Sequence, residues 1–121
     1  MSTRTVVTFK DADSTFHIYQ NWDGYPSGVA ENLRSAIAYA WPLPRFEACE
    51  FGAAFVRGAK SEGGSIYLSK GPRYYCDLSY CYTVRCIGGQ LSIDAYRVDA
   101  DDKRTSIGKR LSIDQLAMVT Q

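Results

Sequence analysis

The chain has 121 residues, enough for one domain with a hydrophobic core of its own. Its composition, 45% hydrophobic and 22% charged, is that of a folded globular protein and excludes a mainly disordered one. Fourteen basic against thirteen acidic residues leave a net charge of +1. A duplex-binding protein draws most of its affinity from a basic excess, so direct nucleic-acid binding is not expected.

In chain order, Thr5–Lys10 and Thr15–Gln20 are rich in β-branched and aromatic residues, and Asp11-Ala12-Asp13-Ser14 between them is a turn-forming cluster. A four-residue loop sets Phe9 opposite Phe16 and Val7 opposite Ile18 on one face, with Val6, Thr8, His17 and Tyr19 on the other. Trp22-Asp23-Gly24-Tyr25-Pro26-Ser27-Gly28 follows, a stretch that cannot extend a strand and leads into a helix. Val29, Leu33, Ile37 and Trp41 form that helix's apolar stripe, with Ser27 as its N-cap and Pro42 and Pro44 as its stop. A second helix is predicted over Arg45 to Lys60, with Phe51 and Phe55 on one side. Gly52 and Gly58 weaken it by about 1 kcal/mol each, which points to a neighbouring backbone packed closely there.

Ser61-Glu62-Gly63-Gly64 supplies the glycines expected at a helix end, and Ser65–Ser69 is a short strand. Gly88-Gly89 is a two-residue hairpin loop. It pairs Cys86 with Leu91, Val84 with Ile93 and Tyr82 with Ala95 on the core side. A strand through Ser106–Lys109 and a short helix capped by Ser112-Ile113-Asp114-Gln115 complete the chain. The fold class is α+β, one domain over residues 1–121. An N-terminal β-hairpin, a two-helix pair and an antiparallel β-meander form one antiparallel sheet packed by the helices.

No apolar run approaches the roughly 20 residues that span a bilayer. Met1-Ser2-Thr3-Arg4-Thr5 lacks the apolar core of a signal peptide. A cytoplasmic protein with no membrane partner and reduced cysteines is expected. Cys76, Cys81 and Cys86 recur at spacing five, and His17 is the one conceivable further zinc ligand. Structural zinc sites draw paired ligands from tight turns, whereas strand alternation sends Cys81 and Cys86 to opposite faces. No metal site is expected, and the cysteines read as free thiols. His17 is the only histidine, Glu47 and Glu50 are three apart on the second helix, and no phosphate loop or nucleophile elbow occurs. No catalytic residue, cofactor or enzymatic activity is assigned.

Nine tyrosines and two tryptophans favour binding, since such side chains combine contact area with a polar tip. The expected partner-binding residues are Trp22 and Tyr25, together with Arg57, Lys60, Arg73, Tyr74 and Tyr75. Lys70 belongs to the same basic cluster. The residues His17–Gly28, Ala40–Ala48 and Gly63–Leu68 together resemble a group of small phage- and prophage-encoded proteins sharing the Trp-Asp-Gly-Tyr-Pro-Ser-Gly motif. The resemblance covers about two thirds of the chain and carries no catalytic assignment. It implies a phage-derived protein that binds a host protein or ribonucleoprotein complex. Inhibition of a bacterial defence system such as CRISPR is the sharpest form of that expectation. Three alternatives remain: a nucleotide-like ligand held between Trp22, Tyr25 and Trp41, a nucleic-acid accessory protein using Arg57–Tyr75, and an enzyme using His17. Open strand edges also permit a homodimer.

Overall fold

The structure is a computed structural model that describes residues 3–60 and 65–120. Strands β1 (Thr5–Lys10) and β2 (Thr15–Gln20) form the first hairpin in the expected register, Phe9 against Phe16 and Val7 against Ile18. Helices α1 (Pro26–Tyr39) and α2 (Ala48–Ala59) follow. Then come strands β3 (Ile66–Ser69), β4 (Tyr80–Ile87), β5 (Gln90–Val98) and β6 (Arg104–Leu111), and a short helix α3 (Ile113–Ala117). This is the expected α+β class. The helix end expected at Ser61–Gly64 lies outside the described residues.

All six strands share one sheet, in the order β3-β2-β1-β4-β5-β6. One pairing departs from expectation: β1 and β4 run parallel, so the sheet is mixed and not antiparallel throughout. The cause is where β3 lands. It adds to the outside of β2, antiparallel to it, and therefore points the same way as β1. Residues 70–79 then carry the chain across to the far side of β1, and β4 sets off in the direction of β3. Hairpin signals report only pairs joined by a short turn, and a crossover leaves none. The later hairpin does follow its signal. Gly88 and Gly89 take the left-handed φ values of +60° and +80°, and Cys86–Leu91, Val84–Ile93 and Tyr82–Ala95 pair as expected.

The long helices cover one face of this sheet. Phe9 lies 5.8 Å from Phe51 and 5.2 Å from Phe55 between ring centroids, over a floor of Val7, Ile18, Tyr82, Val84 and Ile93. Val29 and Leu33 of α1 are fully buried there, but Ile37 is 45% exposed. Each four-residue step overshoots a 3.6-residue turn by about 40°, so a strict four-residue stripe walks off the core. Ala30 and Ala36 take the buried places instead.

The helix ends also differ in detail. Tyr25, not Ser27, is the N-cap of α1, with Pro26 in its first turn, where a missing N–H costs nothing. Helix α2 starts at Ala48, later than the expected Arg45. Its first amide donates to Asp11 Oδ2 at 2.7 Å, a cap supplied by the β1–β2 turn. Gly58 is the close approach: a Cβ there would fall 2.9 Å from Cβ of Ser35. Above Phe9, by contrast, a Cβ on Gly52 would meet the ring at an ordinary 3.6 Å. The α3 capping box is formed as expected, with Ser112 and Gln115 exchanging two hydrogen bonds.

Candidate functional site

The sheet face away from α1 and α2 carries the side chains with chemical potential. Strand register aligns Tyr67, Tyr19, Val6, Cys81, Tyr96 and Ser106 in one row across all six strands. The next row is Ser69, His17, Thr8, Thr83 and Asp94. Cross-strand neighbours share a face, so these two rows form one surface.

Residues 70–79 cross the first row and cover part of it. Tyr75 stacks on Tyr19 with centroids 3.9 Å apart, and Leu78 closes a small second core with Val6, Tyr19, Cys81 and Val98. The crossing segment is pinned at several points. Arg4 pairs with Asp77 at 3.2 Å, Arg73 pairs with Asp102, and Arg104 Nη2 donates to the Pro72 carbonyl at 2.8 Å. Desolvation, with Asp77 adding to it, pushes the Tyr19 phenol up to about 12. It therefore stays protonated, near Asp77.

Beside the crossing segment lies a cleft of about 330 Å³ lined by Lys10, His17, Cys81, Arg85 and Arg104, with three threonines, Thr8, Thr15 and Thr83. Tyr82, Tyr96 and Pro72 complete its walls. No aspartate or glutamate lines it among the described residues. His17 Nδ1 and Thr8 Oγ1 are 2.8 Å apart, and desolvation lowers the imidazole pKa, favouring its neutral form. Burial raises the Cys81 thiol, and the Arg104 guanidinium 3.3 Å from its sulfur only partly offsets that. A thiol held protonated is a poor nucleophile. Cys81 and His17 also stand two strands and two residues apart, about 12 Å between backbones, too far to pair.

Arg104 is the most deeply placed cation of the cleft. Its side chain is only 17% exposed, and its Nε is buried with no acceptor among the described residues. An unsatisfied buried donor of a charged group costs on the order of 1–3 kcal/mol. Arg85 is better matched, 2.9 Å from Asp94, whose other oxygen accepts the Arg110 amide.

Compared with known proteins, the chain matches no family model, no curated protein and no solved structure. Its own geometry carries the functional reading.

The expected partner-binding residues do not form one patch. Arg57 and Lys60 belong to the end of α2, on the helix layer, and Arg57 lies over the Tyr39 ring at 4.6 Å. Arg73, Tyr74 and Tyr75 belong to the crossing segment on the opposite face, with Tyr75 half-buried and Arg73 engaged by Asp102. Tyr74 is 56% exposed and meets Tyr75 edge-on, with Lys70 over its ring at 5.5 Å. Trp22 is exposed, whereas Tyr25 folds back onto the core and donates its hydroxyl to Asp23 at 3.1 Å.

The nucleotide-like pocket expected between Trp22, Tyr25 and Trp41 is not formed. Tyr25 and Trp41 flank a 14-residue helix, about 20 Å end to end, and Arg45 lies over the Trp41 ring at 3.7 Å. Glu50 accepts the Trp41 amide at 3.0 Å, and Glu47 is the N-cap residue of α2 without a side-chain cap bond. The cysteines diverge: Cys49 is on α2, Cys76 on the crossing segment, Cys81 under it, and Cys86 beside Pro44. No cluster of three metal-ligating side chains occurs among the described residues.

Sequence reasoning overlooked Lys10, Thr15, Thr83, Arg85 and Arg104 as site residues. The usable signal was the alternation of β1 and β4. Thr8 and Lys10, and Thr83 and Arg85, are polar alternate positions on strands whose other positions are apolar apart from Thr5. Only the parallel pairing, invisible in the sequence, brings the two sets together.

Proposed function

We propose that this protein acts by non-covalent binding to a host protein or ribonucleoprotein complex in the bacterial cytoplasm, as a phage- or prophage-derived inhibitor of a defence system. The observation that supports binding is the tyrosine ladder of the open sheet face. Tyr67 stacks against Tyr19 at 5.8 Å, Tyr19 against Tyr75 at 3.9 Å, and Tyr75 meets Tyr74 at 5.2 Å. Tyr67 and Tyr74, at its two ends, are 49% and 56% exposed. Rigid, half-exposed tyrosines such as Tyr67 and Tyr74 give contact area at low entropic cost, the pattern of a recognition surface. The near-neutral charge favours a protein surface over bare nucleic acid as the contact. The defence role rests on the resemblance of the Trp22–Gly28 segment and its companions to phage-encoded proteins.

Expression in strains with an active CRISPR or other defence tests this reading. Restored infection by a targeted phage is the expected result, lost in the Tyr67→Ala, Tyr74→Ala double variant while the protein remains folded. Full protection of the host across representative defence systems, with the wild-type protein present, would reject it.

A further inference from the structure

We propose that the cleft beside the crossing segment binds the phosphoryl group of a small phosphomonoester, a ligand of nucleoside-monophosphate size. The cleft is distinct from the tyrosine ladder, and the proposal stands whether or not the protein inhibits a defence system.

Charge is the first argument. Lys10, Arg85 and Arg104 line the cleft, and Arg73 is within electrostatic reach of its Cys81; Asp94 pairs with Arg85, and Asp102 with Arg73 and Arg104. Four cations against two carboxylates leave the site positive in a protein whose overall charge is only +1. No acidic side chain among the described residues lines the cavity to repel an anion. Lys10, at the exposed rim, has no ion-pair partner among the described residues.

Donor type is the second argument. Thr15 and Thr83 present hydroxyls from the strands on either side of Thr8, whose own hydroxyl meets His17, with a lysine ammonium and two guanidinium groups around them. A phosphoryl group offers three acceptor oxygens that spread in three directions and suit such convergent donors. Tyr96, in the wall, gives a flat apolar surface beside the cations. A volume of about 330 Å³ exceeds what a bare carboxylate or chloride fills and lies at the small end of ligand pockets.

Titration calorimetry of the full chain with inorganic phosphate, AMP, adenosine and a short single-stranded RNA tests the assignment. Phosphate and AMP should bind and adenosine should not. In heteronuclear NMR the amides that shift should be those of Thr8, His17 and Thr83. Lys10→Gln and Arg104→Met should each weaken AMP about tenfold, the size expected for one charge-assisted contact. Lys10 is exposed, so its variant carries the test even where Arg104→Met does not fold. Absence of phosphate and AMP binding at millimolar concentration, unchanged affinity in Lys10→Gln, or shifts confined to other surfaces would each overturn the proposal. Binding of the RNA without AMP would overturn it in favour of a polymer backbone.

Discussion

Single side chains hold this fold together at places its composition does not advertise. Gln20 is the clearest case. Buried at the end of β2, its amide donates to the carbonyls of Trp22 and Asp23 at 2.6 and 3.1 Å and accepts from Asn32 at 3.0 Å. The turn it ties is tight: a Cβ on Gly28 would sit 2.0 Å from the Asp23 carbonyl oxygen, and Asp23 itself has φ +55°. Gln20→Leu removes those bonds at little change in size and should cost about 2–3 kcal/mol in chemical denaturation. A loss under half that would show the turn held by other means. Asp11 is a second such residue. Its carboxylate accepts the Ala48, Asp13 and Ser14 amides, and these bonds, Ala48 foremost, hold its pKa below the ordinary 3.8. A lowered folded-state pKa gives stability present in full above pH 3.8 and lost as pH falls through the folded value. Asp11→Asn should therefore lower the melting temperature at pH 7 and flatten the loss of stability below pH 3.8. An unchanged acid limb would contradict that assignment.

Elements meet at contacts whose individual side chains can be tested. Helix α2 rests on β1 through Phe9, Phe51 and Phe55, and touches α1 at Gly58 against Ser35. Phe9→Ala should destabilise by about 3–5 kcal/mol, since the emptied space lies under two rings that cannot both follow. Gly58→Ala should cost about 1–3 kcal/mol by forcing the helices apart. Gly52→Ala, in open van der Waals contact with Phe9, should be neutral or slightly stabilising. Comparing the three melting curves checks all of these, and equal losses at Gly52 and Gly58 would refute the distinction. Both hairpins were legible because their turns and alternation agree, and α3 because its capping box is complete. The start of α2 was not legible, because its cap comes from Asp11, distant in sequence and next to it only after folding.

At the scale of the whole molecule, the sheet has one face covered by helices and the other half-covered by residues 70–79. Which thiols react follows from that arrangement. Cys49 and Cys76 are exposed, Cys86 is partly covered and Cys81 is under the crossing segment. A maleimide reagent should label Cys49 and Cys76 quickly and Cys81 only on unfolding. Labelling of Cys81 as fast as Cys49 would mean that the segment does not lie where described. The candidate cleft was illegible for a related reason: Lys10 and Arg85 lie far apart in the chain and become neighbours only through the parallel pairing. That pairing also sets a schedule for synthesis. When β1, β2 and both long helices have left the ribosome, β1 still has an unpaired edge beside its Val7 and Phe9. Every strand needed to close that edge lies beyond residue 79, so the nascent chain carries a sticky flank until two thirds of it is made. Ribosome-stalled chains ending before β4 should accordingly be the ones that recruit chaperones, and chains extended past β5 should be released from them.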